Sequence, residues 1–132
     1  MDNLNQFETE NGILKAYLGS GSEVVIPDGI HTIADGVFKG MAGLIKVTLP
    51  LSVKSIGVGA FKGCKKLKEI NMPEGLQEVG DYAFNRCHDL EEIVFPKTMT
   101  TLGNYAFLYC DGLKKVVIEG PKRIGKAAFS HN

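Results

Sequence analysis

The residues of this chain best equipped for chemistry are three cysteines, Cys64, Cys87 and Cys110, with His88 beside the second. A thiolate is both a nucleophile and a soft-metal ligand, so these groups raise the question of a metal or redox site. Their spacing argues against one. Structural zinc takes four converging ligands, usually from closely spaced pairs, whereas these thiols recur every 23 residues and number three. Thiols at one position of a repeat project in parallel, which disfavours bridging any two of them and predicts small buried apolar side chains. His31, His88 and His131 occupy unrelated positions with no Ser or Cys nucleophile set beside them, so no triad assembles and solvent-facing rings are expected. Gly57-Val58-Gly59 with Gly63 looks like a phosphate-binding loop, and Gly19-Ser20-Gly21 does so less well. Such a loop follows a strand and opens a full helix, a context neither stretch offers. The expectation is a protein without catalytic residues, cofactor or metal.

What positions the cysteines is a repeat. Written under itself at a period of 23 residues, the chain aligns Phe61, Phe84 and Phe107, then Leu44, Leu67, Leu90 and Leu113, then Pro27, Pro50, Pro73 and Pro96. Self-similar apolar positions at that period mark stacked units that share one core. The units are residues 24–46, 47–69, 70–92 and 93–115, with a partial one from 116.

Each coil opens with a short alternating strand: Val24-Val25-Ile26, Val47-Thr48-Leu49, Ile70-Asn71-Met72, Ile93-Val94-Phe95 and Val116-Val117-Ile118. Period two turns the outer residues inward and the middle one outward, and stacked coils make a parallel sheet. Proline then ends the ladder and starts a corner, with Asp28-Gly29 and Glu74-Gly75 suited to it. A second extended piece follows, Ile30-His31-Thr32-Ile33 and its equivalents, which predicts a second sheet. Gly57, Gly80, Gly103 and Gly125 precede the phenylalanine by four, implying a positive φ or a close approach of coils. Asp35, Asp81 and Asn104 come next and suit the N-cap of a short helical turn. The phenylalanines are expected to stack as a spine.

Residues 1–22 form the expected N-terminal cap: residues 6–10 and 13–18 flank Asn11-Gly12, a two-residue hairpin turn. Phe7, Ile13, Leu14, Tyr17 and Leu18 would cover the first coil. Residues 23–132 are the expected solenoid of four full coils and one partial coil. In coil five Glu119 stands where proline is due, Pro121 comes two residues later, and Phe129 arrives one residue early. That end is expected either to continue into further repeats or to dock, self-association included.

Lys plus Arg and Asp plus Glu both number 15, so no strong field invites nucleic acid or an anionic membrane. No window nears the ~18 apolar residues of a spanning helix. The first twelve residues lack the basic and apolar regions of a signal peptide, which predicts a cytoplasmic protein if Met1 is the native start.

The line strand-Pro-x-x-apolar-x-x-Ile-Gly-x-x-Ala-Phe-x-x-Cys-x-x-Leu, best seen in Phe95-Pro96, Leu102-Gly103, Ala106-Phe107, Cys110 and Leu113, resembles the BspA-type leucine-rich repeat over about residues 23–129. Met41 departs from it in place of the first cysteine. The resemblance implies an α/β solenoid, a right-handed superhelix with a parallel sheet on its concave side, a second short-strand face and short helical turns. It also implies a bacterial, cell-surface or secreted setting, an adhesin-like role, and no catalytic residues.

The outward strand positions form the candidate binding face: Glu23, Lys46, Glu69, Glu92 and Lys115 in one column, Val25, Thr48, Asn71, Val94 and Val117 in the other. Opposite charges alternate except at Glu69–Glu92, as in a solvated ladder. Val94 and Val117 add apolar surface of the kind repeat proteins offer to partners. The leading expectation is a non-enzymatic module that binds a protein or glycan partner. The alternative is a structural spacer without a ligand. Tyr82 and Tyr105 are expected to form a smaller aromatic patch or to be partly buried.

Overall fold

The computed structural model describes residues 4–120 and 123–132, so Met1 and the irregular Pro121 of coil five lie outside the described residues. Strands follow in chain order: β1 (Phe7–Glu10), β2 (Ile13–Tyr17), β3 (Glu23–Val25), β4 (Thr32–Ile33), β5 (Lys46–Thr48), β6 (Ser55–Ile56), β7 (Glu69–Ile70), β8 (Glu78–Val79), β9 (Glu92–Val94), β10 (Thr101–Leu102), β11 (Lys115–Val117) and β12 (Arg123–Ile124). They wind as a β-solenoid. Each coil gives its first strand to one sheet and its second strand to another.

The second sheet runs unbroken in the order β1-β2-β4-β6-β8-β10-β12. Asn11 and Gly12 both take positive φ, 52° and 78°, as a tight hairpin turn requires, and β2 then pairs in parallel with β4. The cap is therefore the outermost pair of strands of this sheet. Leu14 is fully buried, and Phe7 and Tyr17 pack on the core. Leu18 does not, being 63% exposed. It lies one residue past the end of β2, where the chain leaves the sheet.

The spine is present as stacked rings. Phe38, Phe61, Phe84, Phe107 and Phe129 follow at centroid distances of 5.0, 5.1, 4.9 and 5.3 Å, with interplanar angles of 7° or less. Tyr17 caps Phe38 at 5.2 Å and Phe7 lies 5.3 Å beyond it, so the hairpin ends the column with aromatic faces. Each buried ring contributes about 1.5–3 kcal/mol of apolar transfer energy.

The segment before each cysteine is a run of turns and not a helix. Gly36, Phe38 and Gly40 donate their N–H groups to the carbonyls of Val58, Ala60 and Lys62 in the next coil, at 3.0, 2.7 and 2.7 Å. The pattern repeats up to Tyr109 and Ser130, so a third ladder joins the coils. Two columns in it take positive φ in every coil: Gly36, Gly59, Tyr82, Tyr105 and Ala127, then Gly40, Gly63, Arg86, Tyr109 and His131. The first two coils use glycine there, and the later ones hold side chains in a region that costs about 1–2 kcal/mol each.

Because the segment is not a helix, Asp35, Asp81 and Asn104 do not act as N-caps. Their Oδ1 atoms accept the N–H groups of Val58, Asn104 and Lys126 in the following coil at 2.8, 2.8 and 2.7 Å. The glycine column before them resolves to close approach. A Cβ on Gly80 would lie 2.8 Å from the carbonyl carbon of Gly57, with no positive φ involved.

Candidate functional site: the outward face of the first sheet

The first sheet is built from β3, β5 and β7 and, separately, from β9 and β11. Period two delivers the expected faces. Val24, Val47, Ile70 and Ile93 are buried, while Glu23, Val25, Lys46, Thr48, Glu69, Asn71, Glu92, Val94 and Lys115 are exposed and Val117 is half-buried. Register places Glu23 beside Lys46 and Lys46 beside Glu69, then Glu92 beside Lys115 and Val94 beside Val117. Lys46 Nζ lies 3.9 Å from Glu69 Oε2, an exposed pair worth well under ~1 kcal/mol.

The structure does not bring all ten candidate residues onto one ladder, because the sheet is split between coils three and four. Elsewhere the strand entry is stitched: Lys68 and Glu69 N–H donate to the Ile45 carbonyl at 2.8 and 3.3 Å, and Lys114 and Lys115 N–H to that of Glu91 at 2.8 and 3.2 Å. The equivalent Glu91 and Glu92 N–H groups make no such bond to Lys68. At the strand exit Ile26 N–H reaches the Thr48 carbonyl and Phe95 N–H the Val117 carbonyl, both at 2.9 Å, while Met72 N–H has no counterpart bond to Val94.

Asn71 stands beside the split, one residue past the end of β7. Its Oδ1 accepts from Leu49 N–H at 2.7 Å and its Nδ2 donates to the Leu49 carbonyl at 2.9 Å. The carboxamide thus stands in for a peptide group in bonding to coil two. Glu69 and Glu92, the one pair of like charges in the column, face each other across the break. A groove of about 790 Å³ runs across β5, β7 and β9, covering the break together with the intact β5–β7 junction, and it is lined also by Lys68, Met72 and Glu91. Sequence reasoning missed those three and the part played by Asn71. The available signal was an Asn in a column otherwise filled by Val and Thr.

The other candidate chemistry disperses into structure. Cys64, Cys87 and Cys110 are free and fully buried, and each thiol donates to the carbonyl of a phenylalanine, Phe38, Phe61 or Phe84, at 3.1, 3.3 and 2.9 Å. Burial pushes the Cys64 thiol up to about 11. The neighbouring Cys110 thiol, and burial after it, raise Cys87 well above the ordinary value. All three are packing residues, and Cys64 and Cys87 are held protonated. His31 Nε2 lies 3.0 Å from the Asn11 carbonyl and ties the hairpin turn to coil one. His88 Nδ1 lies 2.8 Å from Asp111 Oδ1, a contact that lowers the Asp111 carboxyl. His131 is exposed and stacks on Tyr109 at 4.7 Å. Among the described residues no three His, Cys, Asp or Glu side chains converge to hold a metal. Nor is any helix among them long and apolar enough to cross a membrane.

On the turn ladder Tyr82 and Tyr105 are half-buried and stack at 5.1 Å, with Lys62 Nζ 5.1 Å from the Tyr82 centroid. The Arg86 guanidinium sits 4.6 Å from the Tyr109 centroid. The Tyr82–Tyr105 pair is the expected aromatic patch and partial burial at once, and the Arg86–Tyr109 contact adds to it.

Comparison with curated proteins returned no match. Among solved structures, the leucine-rich repeat protein of T. pallidum is 41% identical with a TM-score of 0.86, the alignment covering 89% of this chain and 57% of that one. A leucine-rich repeat protein of Bacteroides capillosus ATCC 29799 is 27% identical with a TM-score of 0.72, covering 82% and 86%. The pneumococcal vaccine antigen PcpA shares the fold at 21% identity and a TM-score of 0.76, covering 92% and 35%. The chain thus spans a little over half of the T. pallidum protein and about a third of PcpA. A family model, the BspA type leucine rich repeat region, matches residues 16–132 in six copies. With its periodic core seen in the coordinates and its sequence matched over that length, the chain belongs to the BspA-type leucine-rich repeat family.

Proposed function

We propose that this chain is a non-enzymatic interaction module of a bacterial cell-surface or secreted protein, binding a protein or glycan partner across the outward face of the first sheet. The observation that carries the reading is the row of exposed side chains there. Val25 and Val94 are 68% and 47% exposed amid Lys46, Thr48, Glu69, Glu92 and Lys115, mixing apolar contact with charge along the outward strand face. Membership of a repeat family supports it, since stacked coils offer an extended surface and no enclosed reaction chamber.

The test uses purified chain on protein and glycan arrays, followed by titration of each hit. A genuine partner loses about tenfold or more in affinity when Val25, Val94 and Val117 are changed together to lysine, and keeps its affinity for Y109S on the turn ladder. The opposite pattern would move the binding surface to the turns and overturn the reading.

A further inference from the structure

We propose that the split between coils three and four is a receptor slot for an extended segment of a partner polypeptide carrying an arginine or lysine side chain. This rests on the reading that the first-sheet face binds and names what it binds.

The opening is confined to that face. Behind it Thr101 pairs with Glu78 and Leu102 with Val79, and on the turns Tyr82 and Phe84 N–H still reach the Asn104 and Ala106 carbonyls at 3.0 and 2.7 Å. The coils have not separated; one of three ladders has been left open. Asn71 flanks it, its carboxamide bonded to Leu49 of coil two at the point where β7 ends. The core shows through it: Ile70 and Met72 are each 8% exposed, against 1% for Val47 and 0% for Ile93.

The slot presents two chemistries. Main-chain donors and acceptors that pair in the other coils lack their ladder partners here, Glu91, Glu92 and Met72 N–H on one hand and the Lys68 and Val94 carbonyls on the other. An extended polypeptide supplies such donors and acceptors in alternation. Around them stand Glu69, Glu91 and Glu92, with Lys46 and Lys68 also in the groove and Lys115 beside Glu92 on the next strand; Lys46 already leans on Glu69, and the like-charged Glu69 and Glu92 have no cation between them. A guanidinium or ammonium, which only donates, suits both the like-charged pair Glu69 and Glu92 and the unpaired carbonyls. An acidic glycan would meet repulsion at Glu91 and Glu92, and a neutral one would leave them unanswered.

The test titrates three short labelled peptides, alternating Thr with Arg, with Gln or with Glu, into the full chain at about 0.15 M salt. Wild type is expected to bind the Arg peptide, with amide shifts centred on residues 68–72 and 91–94, and not the Glu peptide. Asn71→Val restores the residue type found at Val25, Val94 and Val117. It should heal the ladder, slowing exchange of the Glu92 amide about tenfold or more and weakening the Arg peptide by a similar factor, with Tm not lowered. Glu92→Gln keeps the slot open and should weaken the Arg peptide alone. Equal binding of the three peptides, no binding, amide shifts elsewhere, unslowed exchange in N71V, or full Arg-peptide affinity in a healed N71V would each overturn the slot. If the triple-lysine variant still loses its array partner, the face stands and only the slot has failed. If it keeps that partner, the face itself has failed.

Discussion

A buried thiol shows how a residue can look reactive in a sequence and be inert in the fold. The Cys64 thiol rises from 9.0 to about 11 because burial penalises the thiolate. A group with a raised acid pKa favours the folded state only while protonated, so stability is full below the unfolded value and is lost as pH climbs from about 9 towards 11. The loss at Cys64 is about 3 kcal/mol when complete, with Cys87 acting in the same direction. Denaturant titrations should show a steep alkaline decline that Cys64→Ala flattens, and iodoacetamide should label the native chain slowly. Tyr82 makes a second prediction. Tyr82→Gly relieves about 1–2 kcal/mol of left-handed strain and removes stacking worth about 0.5–1.5 kcal/mol, so Tm should change by only a few degrees. The cysteine reading was legible because parallel vectors follow from spacing alone. The positive-φ columns were not, since glycine marks them only in coils one and two, and Tyr82, Arg86, Tyr105 and Tyr109 disguise them afterwards. Asn71 was visible as an odd member of its column, but nothing local says whether a carboxamide will replace a peptide group or face water.

The elements repeat because three ladders share one core, and each tolerates different insults. Gly80→Ala should be severe, since its Cβ would lie 2.8 Å from backbone atoms of the preceding coil that cannot rotate away. A loss of about 3 kcal/mol in chemical denaturation is expected. Phe84→Ala, taking a ring from between Phe61 and Phe107, should cost about 3–5 kcal/mol. Strands and corners were readable in the chain, because alternation and proline act locally. Gly29 and Gly75 take the positive φ, 90° and 101°, of the corners expected of them. The turn ladder was read as helix because its i to i+3 bonds, such as Lys39 N–H to the Gly36 carbonyl, mimic the start of one, while the bonds that define it join residues about 22 apart.

At the scale of the molecule, stability is shared between neighbours and should fray from its edges. Tyr17→Ala removes the ring between Phe7 and Phe38 and should raise amide exchange in coil one well before coils three and four. The direction of the side-chain bonds adds to this. Asp35, Asp81 and Asn104 each hold out an acceptor to a coil that comes later in the chain. The hairpin is closed by its own two-residue turn, so its strands can meet before the later coils are made. A polypeptide leaving the ribosome therefore exposes its template first, and each newly made coil meets a finished surface with an acceptor already in place. Winding is expected to proceed in the same direction as synthesis, with little chain waiting unfolded at any moment.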